Sequence, residues 1–393
     1  MNFHAYFFRK DVVKYMKFVL APDSFKESMT AKEVANSMEN GLKKIFPNAD
    51  YVKVPMADGG EGTLQALIDA TNGEIFKVEV LGPLGNPITA EFGILGDGTT
   101  AVIEMASASG LQHIAPEDRN PLITTTFGTG ELIKHALDKN VQQIFIGIGG
   151  SATNDGGAGM IQALGGKLLT KSGENIAFGG GALNTLHSID LSGLDPRLSK
   201  VSIDVACDVN NPLTGENGAS YIFGPQKGAT PEIVELLDEN LKHYAKIIKK
   251  DLQKDIENIP GSGAAGGLGG GLMAFLSAKL KTGVDLVIEY THLEEILKDA
   301  DFIFTGEGAI DYQTKFGKTP YGVASVAKKY NIPVIVLSGK IGHGCEVLYE
   351  GGITSILGIL PGTVDIKEAL KSGMENVERT SENIGRLIKS IVK

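Results

Sequence analysis

The sequence predicts an α/β protein of two domains: a Rossmann-like, doubly wound parallel-sheet domain made from both chain ends, and a second, inserted α/β domain with a mixed sheet. Three observations predict it. Strand, loop, helix, strand patterning opens the chain from Met16. A block of short strands joined by Gly, Pro and Asn turns follows at residues 75 to 104. Strand–helix alternation then returns near the C-terminus. The 393 residues are enough for two cores.

In order along the chain, "FVLAPDSF" reads as a buried strand broken into a loop by Pro and Asp. "TAKE", Thr30 to Glu33, is a capping box. It opens a helix with Val34, Met38, Leu42 and Ile45 along one side. "YVKVPM" is the next strand, "ADGGEG" a loop and "TLQALIDAT" a helix. The turn-rich block marks a boundary near residue 72. Helix "GELIKHALDKN", strand "VQQIFIGIGG", strand "KVSIDVACDV" and helix "PEIVELLDENLKHYAKIIKKDL" complete the middle. "DFIFTGEGAID" then reads as strand and loop, "YGVASVAKKY" as helix, and "IPVIVLSGK" and "ITSILGIL" as strands.

The expected division is 16–71 plus 284–393 for the Rossmann-like domain and 72–283 for the inserted one. The alternative is two consecutive domains cut near residue 200. Residues 1–15 carry aromatics but no clean signal-peptide core. They are expected to be an extension from an upstream start, or else an ordinary surface segment.

Composition excludes several classes of function. Charged residues make up 21% and the net charge is −10, which disfavours binding to nucleic acid or acidic membranes. No apolar run approaches the ~18 residues of a membrane span. Cys207 and Cys345 form neither a zinc cluster nor a disulfide scaffold, which suits a cytoplasmic protein. "GSGAAG" lacks a preceding strand, and "GIGGSA" lacks the acidic partner of a dinucleotide fingerprint. No P-loop, nucleophile elbow or HExxH is present.

Polar residues gather instead in loops that follow strands: "APDSFKES", "MADGGEG", "GIGGSATNDGG", "ACDVNNP", "TGEGAID" and "LSGKIGHG". In open α/β sheets ligands bind outside the carboxyl ends of the strands. The Gly261–Gly271 run, with Gly261, Ser262, Gly263, Gly266, Gly267 and Gly269, is a candidate phosphate cradle. A mobile linker and close helix packing are its competing readings. Asp208, at the end of a strand, is a candidate general base or a turn cap. Asp58 with Glu61, Glu307 with Asp311, and Asp155 are each candidate Mg²⁺ ligands or caps. Ser24 and Lys26 make a candidate anion site. Glycine loops, carboxylates and a lysine without covalent-catalysis motifs fit phosphoryl transfer.

"APDSFK", "MADGGEGT", "GTGELI", "IGIGGSATNDGGAGM", "DVNNPL", "FGPQKGA", "GSGAAGGLGGGL" and "TGEGAID" closely resemble the type I glycerate kinase family of bacteria, in order from Met16 onward. The resemblance implies phosphorylation of D-glycerate by ATP with Mg²⁺, with the active site in the cleft between two domains. It implies Asp208 as the catalytic aspartate and "DSFK" as a substrate holder.

On that footing the catalytic residues are expected to be Asp208 and Lys26. Ser24, Lys26, Asp58 and Asp208 are expected to meet substrate, the glycine run to meet nucleotide, and Asp58 and Asp311 to meet metal. The expected product is 2-phosphoglycerate, with 3-phosphoglycerate as the alternative, made by a cytoplasmic monomer or homodimer. Competing functions are a kinase of another small hydroxy acid, a nicotinamide-dependent dehydrogenase and a non-catalytic metabolite-binding protein.

Overall fold

A computed structural model describes residues 16–392; the expectation for residues 1–15 lies outside them. The chain forms two compact units. Among the described residues, the first combines 16–55 and 319–392 with His292–Lys315; the second is Met56–Thr291 with Phe316–Lys318. The first is thus built from both chain ends. The units divide at Met56 and His292, so the Thr63–Thr71 and Gly283–Tyr290 helices count with the second unit rather than the first. The reason is packing: these two helices touch each other and the strands of the second unit's sheet.

The first unit holds five parallel strands. Their spatial order is Ile353–Gly358, Val334–Ile341, Phe302–Ile310, Lys17–Leu20, Asp50–Lys53. The chain runs outward in one direction from Lys17–Leu20 and returns on its other side at Phe302–Ile310. That reversal is the switch point of a doubly wound sheet. Thr30 Oγ1 accepts the Glu33 N–H, and Glu33 Oε2 accepts the Thr30 N–H at 2.8 Å, so the capping box forms as the sequence dictates. The helix it opens, Ala31–Lys43, packs along the terminal helix Gly373–Ile391. Gly41 permits the approach, since a Cβ there would lie 2.1 Å from the Glu378 carbonyl oxygen. Val34, Met38 and Leu42 join Phe18, Leu20, Phe304, Val377 and Ile384 in one core.

One element differs from expectation. "TGEGAI" is not a loop; it is the second half of the Phe302–Ile310 strand. Pairing with Val334–Ile341 continues through Ile310 opposite Ile341, and this ladder outweighs the turn preference of Gly306 and Gly308.

The second unit holds six strands in the order Lys279–Lys281, Ser202–Ala206, Gln143–Gly147, Thr100–Glu104, Pro87–Ile94, Glu74–Leu81. The first four are parallel and the last two antiparallel, which is the mixed sheet the turn-rich block predicts. A small hairpin, Lys167–Leu169 with Ser188–Asp190, stands apart from it. The long helix Pro231–Leu252 starts at Thr230, whose side chain accepts the Ile233 N–H, with proline in its first turn. Among the described residues no helix is long and apolar enough to cross a membrane.

Candidate functional site

The parallel strands of each sheet deliver their loops to one edge, and the candidate residues are taken unit by unit. In the second unit three segments meet. The Gln143–Gly147 and Ser202–Ala206 strands end side by side, with Gly147 in register with Ala206. The Asp58–Gly60 segment lies against both: a Cβ on Gly59 would sit 2.9 Å from the Ala206 Cβ, and one on Gly147 would sit 3.1 Å from the Gly59 carbonyl oxygen. The start of the Gly283–Tyr290 helix closes the group, since a Cβ on Gly283 would meet the Asp58 carbonyl oxygen at 1.9 Å. Only glycine fits that crossing.

Asp208 stands two residues past the Ser202–Ala206 strand. Its Oδ1 accepts the Gly283 N–H at 3.0 Å, which ties it to a helix N-terminus. The residue is exposed, so an acceptor hydroxyl can reach it. Its pKa is pushed up to about 6: surrounding protein that displaces water is the main cause, the Gly283 N–H opposes it, and the charges of Asp58 and Asp285 add to it. A carboxylate so placed is ionised at neutral pH and still basic enough to draw a proton.

Asp58 is half-buried and takes the Gly60 N–H on Oδ1 at 3.2 Å. It therefore closes an Asx-type turn through Oδ1. Glu61 is exposed and does not cap the helix that follows. Glu104 does so instead, an acid the sequence reading passed over: its Oε1 accepts the Leu64 N–H at 2.9 Å, at the start of the Thr63–Thr71 helix. Burial nonetheless raises the Glu104 pKa, against the backbone N–H bonds of Leu64, Gly62 and Thr63. Asp155 is completely buried and accepts from Thr126 N and Oγ1, Gly157 N and Gly159 N, so it is an internal cap rather than a metal ligand.

The glycine run is enclosed by protein. Gly261, Ser262, Gly263, Gly266, Gly267 and Gly269 are all buried. Their missing side chains make room for protein backbone. A Cβ on Gly266 would lie 1.9 Å from Thr153 O, on Gly263 2.1 Å from Pro212 O, and on Gly269 2.4 Å from Gly261 O. The Gly156 N–H donates to Gly266 O at 3.0 Å. The run thus packs under the Thr153–Gly157 turn, which supports the close-packing reading of its composition.

In the first unit, the candidates lie at the switch point. The Asp23 N–H donates to Gly306 O at 2.9 Å, which lays the loop after the first strand along Phe302–Ile310. Ser24 is half-buried and donates to Asp23 Oδ1 through N at 2.6 Å and through Oγ at 3.3 Å. Lys26 is exposed. Asp23 Oδ2 accepts from Thr319 Oγ1 at 2.6 Å, at the start of the Thr319–Lys328 helix. Asp311 follows the Phe302–Ile310 strand and accepts the Gln313 N–H at 2.8 Å, a turn-capping bond. Glu307 is buried on the strand, where Thr314 Oγ1 donates to it at 2.7 Å.

Comparison with known proteins agrees with the resemblance. A profile described as the glycerate kinase family matches residues 18–389. The chain is 55% identical over 374 residues to a glycerate kinase of Bacillus subtilis strain 168, covering 95% of this chain and 98% of that one. It is 54% identical over 369 residues to glycerate 2-kinase of Escherichia coli K12, covering 94% and 97%. A crystal structure of a protein assigned as glycerate kinase 2 from Salmonella typhimurium LT2 superposes with a TM-score of 0.90 at 53% identity, covering 96% and 99%.

Proposed function

The chain belongs to the glycerate kinase family, and from that premise we propose that it moves the terminal phosphoryl group of ATP to the 2-hydroxyl of D-glycerate with Asp208 as general base. The observation that carries the residue assignment is Asp208 itself. It is an exposed carboxylate at a parallel-strand end, with one oxygen fixed by Gly283 N–H and a pKa pushed up to about 6. The choice of the 2-hydroxyl follows the Escherichia coli relative, which is a glycerate 2-kinase.

In this reading Asp208 accepts a hydrogen bond from the attacking hydroxyl and takes its proton as the bond to phosphorus forms. Ser24 and Lys26 hold the substrate carboxylate: the lysine supplies charge and the serine a hydroxyl donor. Asp58 orients the substrate.

The acids also fit Mg²⁺. Among the described residues no group of three or more acidic, histidine or cysteine side chains forms a cage for a metal ion. Mg²⁺ does not need one, since it is held by one or two carboxylates together with substrate phosphates. Asp58 and Asp311 are the proposed protein ligands, each with one oxygen occupied in a turn. When bound, the ion neutralises phosphate charge. Cytoplasmic residence and a monomeric or homodimeric state belong to the same proposal.

The test mixes protein and MgATP with a panel of small hydroxy acids, follows ADP release and identifies the product by phosphorus NMR. D-glycerate is expected to be the preferred acceptor and 2-phosphoglycerate the product. Asp208→Asn is expected to keep nucleotide binding and to lose kcat by about 10²-fold or more. Near-parental turnover in that variant would refute the base assignment.

A further inference from the structure

Lys227 is the buried charge that the proposed mechanism does not use. It closes the short turn Pro225–Lys227 inside "FGPQKGA", and it is 1% exposed. A buried ammonium is ordinarily matched with a carboxylate, because taking the charge out of water costs several kcal/mol. Here Nζ donates to Ser151 Oγ at 2.8 Å and to the Thr153 carbonyl oxygen at 2.7 Å, both neutral acceptors. An ammonium carries three N–H donors, and no third acceptor meets it among the described residues. Asp155, the acid whose charge is felt at Lys227, makes no hydrogen bond to it, and its oxygens accept from Thr126, Gly157 and Gly159. Burial pushes the Lys227 pKa down to about 7, with Asp155 pulling the other way. Packing alone would be served by methionine or leucine at this position.

What Lys227 holds is the loop that leaves the Gln143–Gly147 strand, beside the strand that leads to Asp208. Gly149 and Gly150 are exposed there, and their N–H groups meet no protein acceptor among the described residues. Ser151 follows. Ser151 is 6% exposed, and because its Oγ accepts from Lys227, its own hydroxyl proton is left to be donated to another group. Two bare backbone N–H groups and a serine hydroxyl held by the Lys227 amine form a set of donors suited to an anionic oxygen.

We propose that Lys227 is a positioning residue that, through Ser151 and the Thr153 carbonyl, sets the Gly149–Ser151 loop to hold an anionic oxygen group of a substrate, either a phosphate of ATP or the carboxylate of glycerate. The inference rests on the kinase reading above.

Initial-rate kinetics on the full-length protein test it, with Ser151→Ala and the volume-conserving Lys227→Met measured beside the parent and each variant's melting temperature recorded. Ser151→Ala is expected to raise one Michaelis constant about tenfold, the worth of a hydrogen bond to a charged group. The other constant is expected to stay within about twofold, and Lys227→Met to raise the same constant at least as far. A rise in the ATP constant identifies the group as phosphate, and a rise in the glycerate constant identifies it as carboxylate. Parental values of both constants in Ser151→Ala overturn the inference, as does a loss of rate that merely follows the fraction of protein unfolded. A parent without ATP-dependent phosphorylation of glycerate overturns the kinase reading, and this inference with it. An active parent with an indifferent Ser151→Ala overturns the inference alone.

Discussion

At the scale of single residues, the raised pKa of Asp208 sets how the rate should respond to acidity. The proposed base works only when ionised, so kcat/KM falls as pH drops through about 6 and levels off above it. Part of the elevation comes from the charge of Asp285, which lies in the first turn of the Gly283–Tyr290 helix and accepts from Thr282 Oγ1 at 2.5 Å. Asp285→Asn keeps a side chain able to accept that hydrogen bond and removes the charge. Its kcat/KM profile is therefore expected to lose activity at a lower pH than the parent's. An unmoved or upward-shifted limb would show that a different group titrates. The sequence disclosed Asp208 because it ends an apolar strand before "NNP". It did not disclose Asp204 as a core residue. Two-residue alternation puts Asp204 on the Asp208 side, yet it is 5% exposed and meets the Tyr290 hydroxyl at 3.1 Å and Lys281 Nζ at 3.4 Å. Those partners come from segments more than seventy residues away, and no local pattern announces them.

At the scale of elements, local signals were legible and remote ones were not. The Thr30–Glu33 box could be read because all its parts lie within four residues. The Gly261–Gly271 run could not be assigned, because a cradle for phosphate and a bed for backbone require the same composition. The close contact that the fold supplies, with Thr153, lies over a hundred residues upstream. That contact gives the element its own prediction. Gly266 has φ +67°, and any Cβ there strikes Thr153 O, so Gly266→Ala should cost about 1–3 kcal/mol and lower the melting temperature by several degrees. Gly362→Ala, where nothing lies within 4 Å of the added carbon and φ is not positive, should stay within about 0.5 kcal/mol of the parent. Equal melting temperatures for the two variants would contradict the packing role. The Phe302–Ile310 strand teaches the same lesson in reverse: its glycines look like a loop until a paired neighbour is supplied.

At the scale of the whole molecule, the two-unit α/β architecture was readable from the rhythm of strands and helices, since that rhythm records which segments need burying. Motif order along the chain disclosed the family. No covalent-catalysis motif accompanies the candidate base, so phosphoryl transfer is expected to be direct, from nucleotide to acceptor with both bound at once. Initial rates measured against both substrates should then give intersecting double-reciprocal lines, whereas parallel lines would point to a phosphorylated enzyme intermediate. Gly283 shows how tightly such a molecule can be wired. One residue without a side chain leans on the Asp58 carbonyl and lends its N–H to Asp208. Any heavier residue there disturbs two acids together, so neighbouring sequences can drift around this point more freely than through it.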